Sequence, residues 1–206
     1  EAVAAEIRAM GRRALALSCD VTDLAQLAAV VDATMKEFGR VTHLVNNAGG
    51  SGPNDPLKMP TAKFEEVFRF NVSSAYELTR LCVPHMRAAG GGNIVNISSG
   101  AARYAQPYFS AYGTAKAALS HLTRLLAHDF APEVRVNAIA PGYMATDNTR
   151  QLRDDADRSK EILDRIPAGR WGVPDDLQGP VVFLASQAAD YINGYTLAVD
   201  GGWLAR

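Results

Sequence analysis

The stretch NIVNISSGAARYAQPYFSAYGTAKAALSHLTRLLAHDFAPEVRVNAIA, Asn93 to Ala140, decides the fold, because it reads as a strand, a long helix and a second strand. Apolar residues alternate over 93–98 and again over 134–139, the period of a strand. Between them, 111–129 reads as a helix with Ser110 as its N-cap. A strand, a crossover helix and a strand make the unit of a parallel sheet covered on both faces.

The alternation continues outward in both directions. The sequence predicts further helices at 1–10, 23–38, 61–89, about 148–165 and 175–187, and further strands at 14–20, 41–47 and 196–200. The fold class is therefore α/β, a Rossmann-like doubly wound parallel sheet. Leu24, Leu27, Val30, Val31 and Phe38 mark the buried side of the second helix. In the third, the apolar stripe is Phe64, Val67, Phe68, Val72, Ala75 and Leu78, and Asn71 falls on it. A buried amide costs about 1 to 3 kcal/mol unless it is hydrogen-bonded, so Asn71 needs interior partners or a role at a site.

Composition narrows the function classes. The chain has 206 residues, 48% hydrophobic and 21% charged, enough for one domain with a sizeable core. A net charge of -1 and the lack of a basic run argue against nucleic acid or a membrane surface as partner. No apolar run approaches membrane-spanning length. Cys19 and Cys82 have no CxxC and no histidine at ligand spacing, which predicts free thiols, no metal site and a cytoplasmic setting. Neither Ser98 nor Ser99 sits in a G-x-S-x-G elbow, and none of the four histidines pairs with Ser99 in any way the sequence shows, which speaks against a serine hydrolase.

The chemistry lies in the Tyr112-Gly-Thr-Ala-Lys116 run and in Ser99. Tyr112 and Lys116 are four apart on one helix face, so a phenol and an ammonium share a site. An unaided tyrosine has a pKa of about 10, which leaves roughly one phenolate in a thousand at neutral pH. A cation about 4 Å away at an effective dielectric near 20 is worth about 4 kcal/mol, an upper figure of roughly three pKa units. The spacing thus predicts a tyrosine lowered toward the range of a general acid or base. Ser99, where a strand meets its loop, is placed to hold a substrate oxygen beside it. Elsewhere, Asn46-Asn-Ala-Gly49 follows a strand, and Val134 to Gly142 runs into a Pro-Gly turn with Thr146 beyond.

Together these residues resemble the short-chain dehydrogenase/reductase family. The match runs through Asp20-Val21, Asn46 to Gly49, Asn71, Ser99, Tyr112, Lys116, Pro141 to Thr146 and Val199-Asp-Gly-Gly202, in the family's order. The resemblance implies hydride transfer between NAD or NADP, with NAD preferred, and a small secondary alcohol or ketone. It implies Tyr112 as catalytic acid or base, Ser99 as the group that polarises the carbonyl, Lys116 as holder of the nicotinamide ribose, and Asn71 as anchor of a relay water. Asp20 and Val21 would flank the adenine, Asn47, Ala48 and Gly49 the ribose, and Pro141, Gly142, Met144 and Thr146 the nicotinamide. A homo-oligomer, tetramer or dimer, joined through the two long helices is also implied.

The family opens with a strand and a glycine-rich turn that receives the pyrophosphate. No such turn is found here: Gly49-Gly-Ser-Gly52 and Gly90-Gly-Gly92 lack its strand-to-helix context. The expectation is a single domain, 1–206, without its first βαβ unit, so that family strands 1 and 2 are missing and strand 14–20 stands about 14 Å from the next. That is the form of part of a longer polypeptide or of a truncated product. The C-terminal third resembles 2-deoxy-D-gluconate 3-dehydrogenases, whereas Asn46 to Gly52 and Tyr112 to His121 resemble 7-alpha-hydroxysteroid dehydrogenases. A sugar acid is the favoured substrate. The alternatives are a hydroxysteroid or 3-oxoacyl reductase, or an inactive fragment serving only binding or assembly. The segment Tyr143 to Trp171 occupies the place of the family's variable substrate loop.

Overall fold

The computed structural model describes residues 1–205. Four parallel strands form one sheet in the order of the chain: β1 (His43–Asn46), β2 (Gly92–Ile97), β3 (Val134–Pro141) and β4 (Thr196–Val199). Val95 stands between Val45 and Asn137, and Ala138 pairs Thr196. The central strands are shielded on both faces: Ile94, Val95, Val136 and Ile139 are at most 1% exposed, which is why β2 and β3 read as nearly continuous apolar runs.

Helices α1 (Ala2–Ala9), α2 (Leu24–Phe38), α3 (Thr61–Phe68), α4 (Ser74–Ala88), α5 (Ser110–Phe130), α6 (Arg150–Asp154), α7 (Ala156–Leu163) and α8 (Gln178–Ala185) complete the described chain. On one face, Val31 of α2, Val83 and Met86 of α4 and Leu126 of α5 pack on Ile94, Val134 and Val136. On the other, Leu184 of α8 and Ala189 pack on Val95 and Ile139. This is the expected α/β, Rossmann-like sheet with helices on both faces. The ends of α2 follow from its sequence: Asp23 accepts from the backbone N–H groups of Ala25 and Gln26, and Gly39 closes the helix at φ +76°.

Four local expectations are corrected. Residues 14–20 form no strand, because no described strand stands beside them to take their backbone groups. Their alternation runs with Ala14 and Ala16 inward, while Leu15 and Leu17 are 40% and 46% exposed. Leu24, placed on the buried stripe of α2, is exposed at the first turn. The helix expected over 61–89 is interrupted by a π-helical turn, Arg69–Ser73. The helix expected at 148–165 is split into α6 and α7 at Asp155, whose carboxylate caps α7 through the N–H of Arg158.

Candidate active site

The carboxyl ends of β1, β2 and β3 present Asn47 to Gly49, Ser98 and Ser99, and Pro141 to Thr146 on one edge of the sheet. In open parallel sheets that edge is where ligands bind. Two buried hydroxyl contacts dock the end of β2 onto α5. Ser98 Oγ donates to the Lys116 carbonyl at 3.1 Å and lies 2.6 Å from Ser120 Oγ. Ser99 therefore emerges beside Tyr112.

Lys116 is 3% exposed, and its Nζ donates to the Ile97 carbonyl at 2.8 Å while lying 5.9 Å from the Tyr112 ring centre. Burial pushes its pKa down to about 8. The Tyr112 phenol is raised by burial, with a Ser99 hydrogen bond acting against the rise. The downward shift suggested by the Tyr–Lys spacing is not what this arrangement gives. The ammonium is aimed at a backbone carbonyl, and desolvation of the phenol outweighs the stabilisation of phenolate by Ser99.

Asn71 is 1% exposed and uses the freedom of the π-helical turn. Its Nδ2 donates to the carbonyls of Val67 and Gly50 at 2.8 and 3.0 Å, and its Oδ1 accepts from the Gly50 N–H at 2.9 Å. It thereby clamps the loop after β1. A Cβ on Gly49 would come within 2.7 Å of Asn71 Oδ1 and 2.9 Å of Lys116 Nζ, so only glycine lets backbone, amide and ammonium meet there. The buried neighbours are polar as well: Asn46 Nδ2 donates to Asn96 Oδ1 at 2.8 Å, and Asn96 Nδ2 donates to Thr123 Oγ1 at 2.9 Å.

The other expected residues fall in two places. Pro141 ends β3, the Gly142 N–H donates to the Val199 carbonyl, and Met144 pairs with Gly172 in a single bridge. Thr146 begins a helical turn closed by the Thr149 hydroxyl. Asp20 and Val21 lie at the entry to α2. Asp20 accepts from the Thr22 N–H and hydroxyl, both at 2.8 Å, and these bonds lower its pKa. No hydrogen bond among the described residues links Asp20 to the Tyr112 cluster.

A wall of aromatics beside the site was not anticipated as such. Tyr104 lies five residues beyond Ser99, and its pKa rises through burial and through the neighbouring Tyr143 and Tyr112. Trp203 meets Tyr143 and Tyr104 at ring distances of 4.8 and 5.5 Å, and Trp171 meets Tyr143 edge-on at 5.6 Å. Two cavities flank this wall. One of about 160 Å³ lies between Tyr143, Met144, Ile166 and Asp200, and one of about 480 Å³ between Arg103, Tyr104, Phe109 and Ser110.

A serine, a tyrosine and a buried lysine at the carboxyl edge of a parallel sheet are matched by known proteins. A family model described as enoyl-(acyl carrier protein) reductase covers residues 1–204. The chain belongs to the short-chain dehydrogenase/reductase family. Among relatives of this family, 2-dehydro-3-deoxy-D-gluconate 5-dehydrogenase of Dickeya dadantii (strain 3937) is 50% identical over 98% of this chain and 80% of its own. The 7alpha-hydroxysteroid dehydrogenase of Escherichia coli (strain K12) is 39% identical over 96% of this chain and 77% of its own. A solved gluconate 5-dehydrogenase from Burkholderia cenocepacia J2315, in complex with NADP and tartrate, superposes with a TM-score of 0.94 at 35% identity, covering 100% of this chain and 81% of that one. Membership makes the chain that of an NAD(P)-dependent short-chain oxidoreductase acting on a secondary alcohol or its ketone. The residues present fit the nicotinamide end of such a cofactor: Asn47 and Ala48 are exposed beyond β1, Gly49 keeps its close approach free of a Cβ, and the ammonium of Lys116 stands behind it. No helix of the described residues is long and apolar enough to cross a membrane.

Proposed function

We propose that this oxidoreductase interconverts a secondary alcohol and a ketone on a polyhydroxy carboxylic acid. The observation that carries the reading is the convergence of Ser99, Tyr112 and Lys116 at one strand end, beside the loop clamped by Asn71. In reduction Tyr112 donates its phenolic proton to the substrate oxygen, and in oxidation its phenolate takes the proton back. Ser99 donates a hydrogen bond to the same oxygen and holds the carbon in place. With a pKa of about 8, Lys116 is mostly charged at pH 7, and Ser99 is the group that favours the phenolate of Tyr112. Lys116, with Asn47 to Gly49, would hold the nicotinamide ribose, and Pro141, Gly142, Met144 and Thr146 would line the ring. The bound nicotinamide supplies or accepts the hydride. Asn71, which fixes the Gly50 backbone, anchors a water of the proton relay. Asp20 and Val21 would meet the adenine.

The sugar-acid preference is supported by the Dickeya relative, named for 2-dehydro-3-deoxy-D-gluconate. The aromatic wall of Tyr104, Tyr143, Trp171 and Trp203 favours a second reading, a flat apolar ring such as a hydroxysteroid. A panel of sugar acids against bile acids, followed by nicotinamide absorbance, separates the two. We also place the protein in the cytoplasm as a homo-oligomer, a tetramer or dimer, consistent with two free cysteines and with Tyr76 and Leu125 half-exposed on α4 and α5.

Tyr112→Phe is the direct test. Turnover should fall at least a thousandfold, while NAD(P)H binding, followed by fluorescence, stays within about twofold. Retained turnover refutes the role given to Tyr112.

A further inference from the structure

Around the site, the cations of the segment from Asp147 to Asp176 are mostly spoken for. Arg150 pairs with Asp147, Arg158 with Glu161, Lys160 with Asp164, and Arg170 with Asp176. Arg165, two residues past α7, is different. It is exposed, its side chain forms no ion pair or hydrogen bond with another described residue, and its guanidinium lies 4.2 Å from the centre of the Trp203 ring. Trp203 is itself 6% exposed and sits in a turn fixed by Asp200, whose two oxygens accept from the Gly202 and Leu204 N–H groups. The cation therefore rests on a rigid seat.

That seat belongs to the reaction site. Trp203 packs against Tyr104 and Tyr143, which line the two cavities beside the site. A guanidinium stacked by one face on an indole keeps its N–H edge in the plane, the geometry that receives a two-oxygen acceptor. Its single charge matches a carboxylate, whereas a phosphate dianion would leave charge uncompensated.

We infer that Arg165 binds the carboxylate of the substrate and so sets the selectivity of this site for an acid over a neutral alcohol. The inference rests on the proposed sugar-acid reading and assigns it to a residue. Arg165 selects through affinity, and the proton transfer at Tyr112 proceeds without it.

Titration of the intact chain with D-gluconate, D-glucitol and inorganic phosphate, read by tryptophan fluorescence, tests the assignment, since the ligand would land on the residue stacked over Trp203. The wild type should give a saturable change with gluconate and none with glucitol. Arg165→Met should weaken gluconate binding about tenfold or more, and Arg165→Lys should recover part of the loss by keeping charge without the planar fork. In turnover, Arg165→Met should raise KM for the acid by a similar factor with kcat within about twofold, and leave KM for a neutral secondary alcohol unchanged. Gluconate binding by Arg165→Met at the wild-type level, equal binding of glucitol, or tighter binding of phosphate overturns the assignment. Failure of the wild type to turn over any alcohol would instead overturn the oxidoreductase chemistry and leave the fluorescence result standing by itself.

Discussion

Lys116 shows how a residue can serve chemistry at the expense of the fold. Its pKa is pushed from 10.5 to about 8 by burial, so the folded chain binds that proton less readily than the unfolded one. The unfolded state therefore holds more protons between pH 8 and 10.5, and stability climbs with pH across that window. Below pH 8 the penalty is present in full, about 3 kcal/mol for a shift of this size. The bond to the Ile97 carbonyl returns about 1 kcal/mol. Lys116→Met should consequently raise the urea midpoint at pH 7, flatten the rise between pH 8 and 10.5, and abolish turnover. Paired urea titrations at pH 7 and pH 10 measure this. A variant less stable than the wild type at pH 7 would contradict it.

Among elements, the helix from α3 to α4 carries its function at its defect. The π-helical turn Arg69–Ser73 rotates Asn71 so that its amide reaches Gly50 while still bonding Val67. Asn71→Ala would leave the Gly50 N–H and carbonyl unpaired at a partly buried position, and should cost about 1 to 3 kcal/mol. Urea denaturation gives the stability, and loss of NAD(P)H binding reports the released loop. The sequence showed that an asparagine on an apolar stripe needs partners, but not that the helix would open a turn to supply them, because π-turns leave no period of their own. Ser99, Tyr112 and Lys116 were legible for the opposite reason: helix periodicity and a strand end place them by local rules. Tyr104, Arg165 and Trp203 were hidden, being brought together across about a hundred residues by packing alone. The strand at 14–20 failed for a related cause. Alternation marks a segment able to pair, and pairing needs a neighbour.

At the scale of the molecule, exposed apolar side chains on the long helices set the expectation for assembly. Tyr76 on α4 and Leu125 on α5 are 48% and 51% exposed, and Phe68 at the end of α3 is 37% exposed. A chain with a net charge of only -1 has little long-range repulsion to oppose their burial. For the proposed homo-oligomer, the double variant Tyr76→Asp, Leu125→Asp should shift the sedimentation coefficient to that of a monomer without lowering the far-ultraviolet dichroism. An unchanged coefficient would move the interface elsewhere.

The run before α2 has a kinetic consequence. The backbone amides of residues 13–19 have no acceptor among the described residues, whereas those of β2 and β3 lie in the doubly covered centre of the sheet. Deuterium exchange should therefore run as a front across the molecule. It should be fastest between Arg13 and Cys19, slower at β1, whose outer edge has no partner strand among the described residues, and slowest between Ile94 and Ile139. Opening of the domain is expected to begin at the β1 side, and the edge bearing Ser99 and Lys116 is the last to lose its protons to solvent.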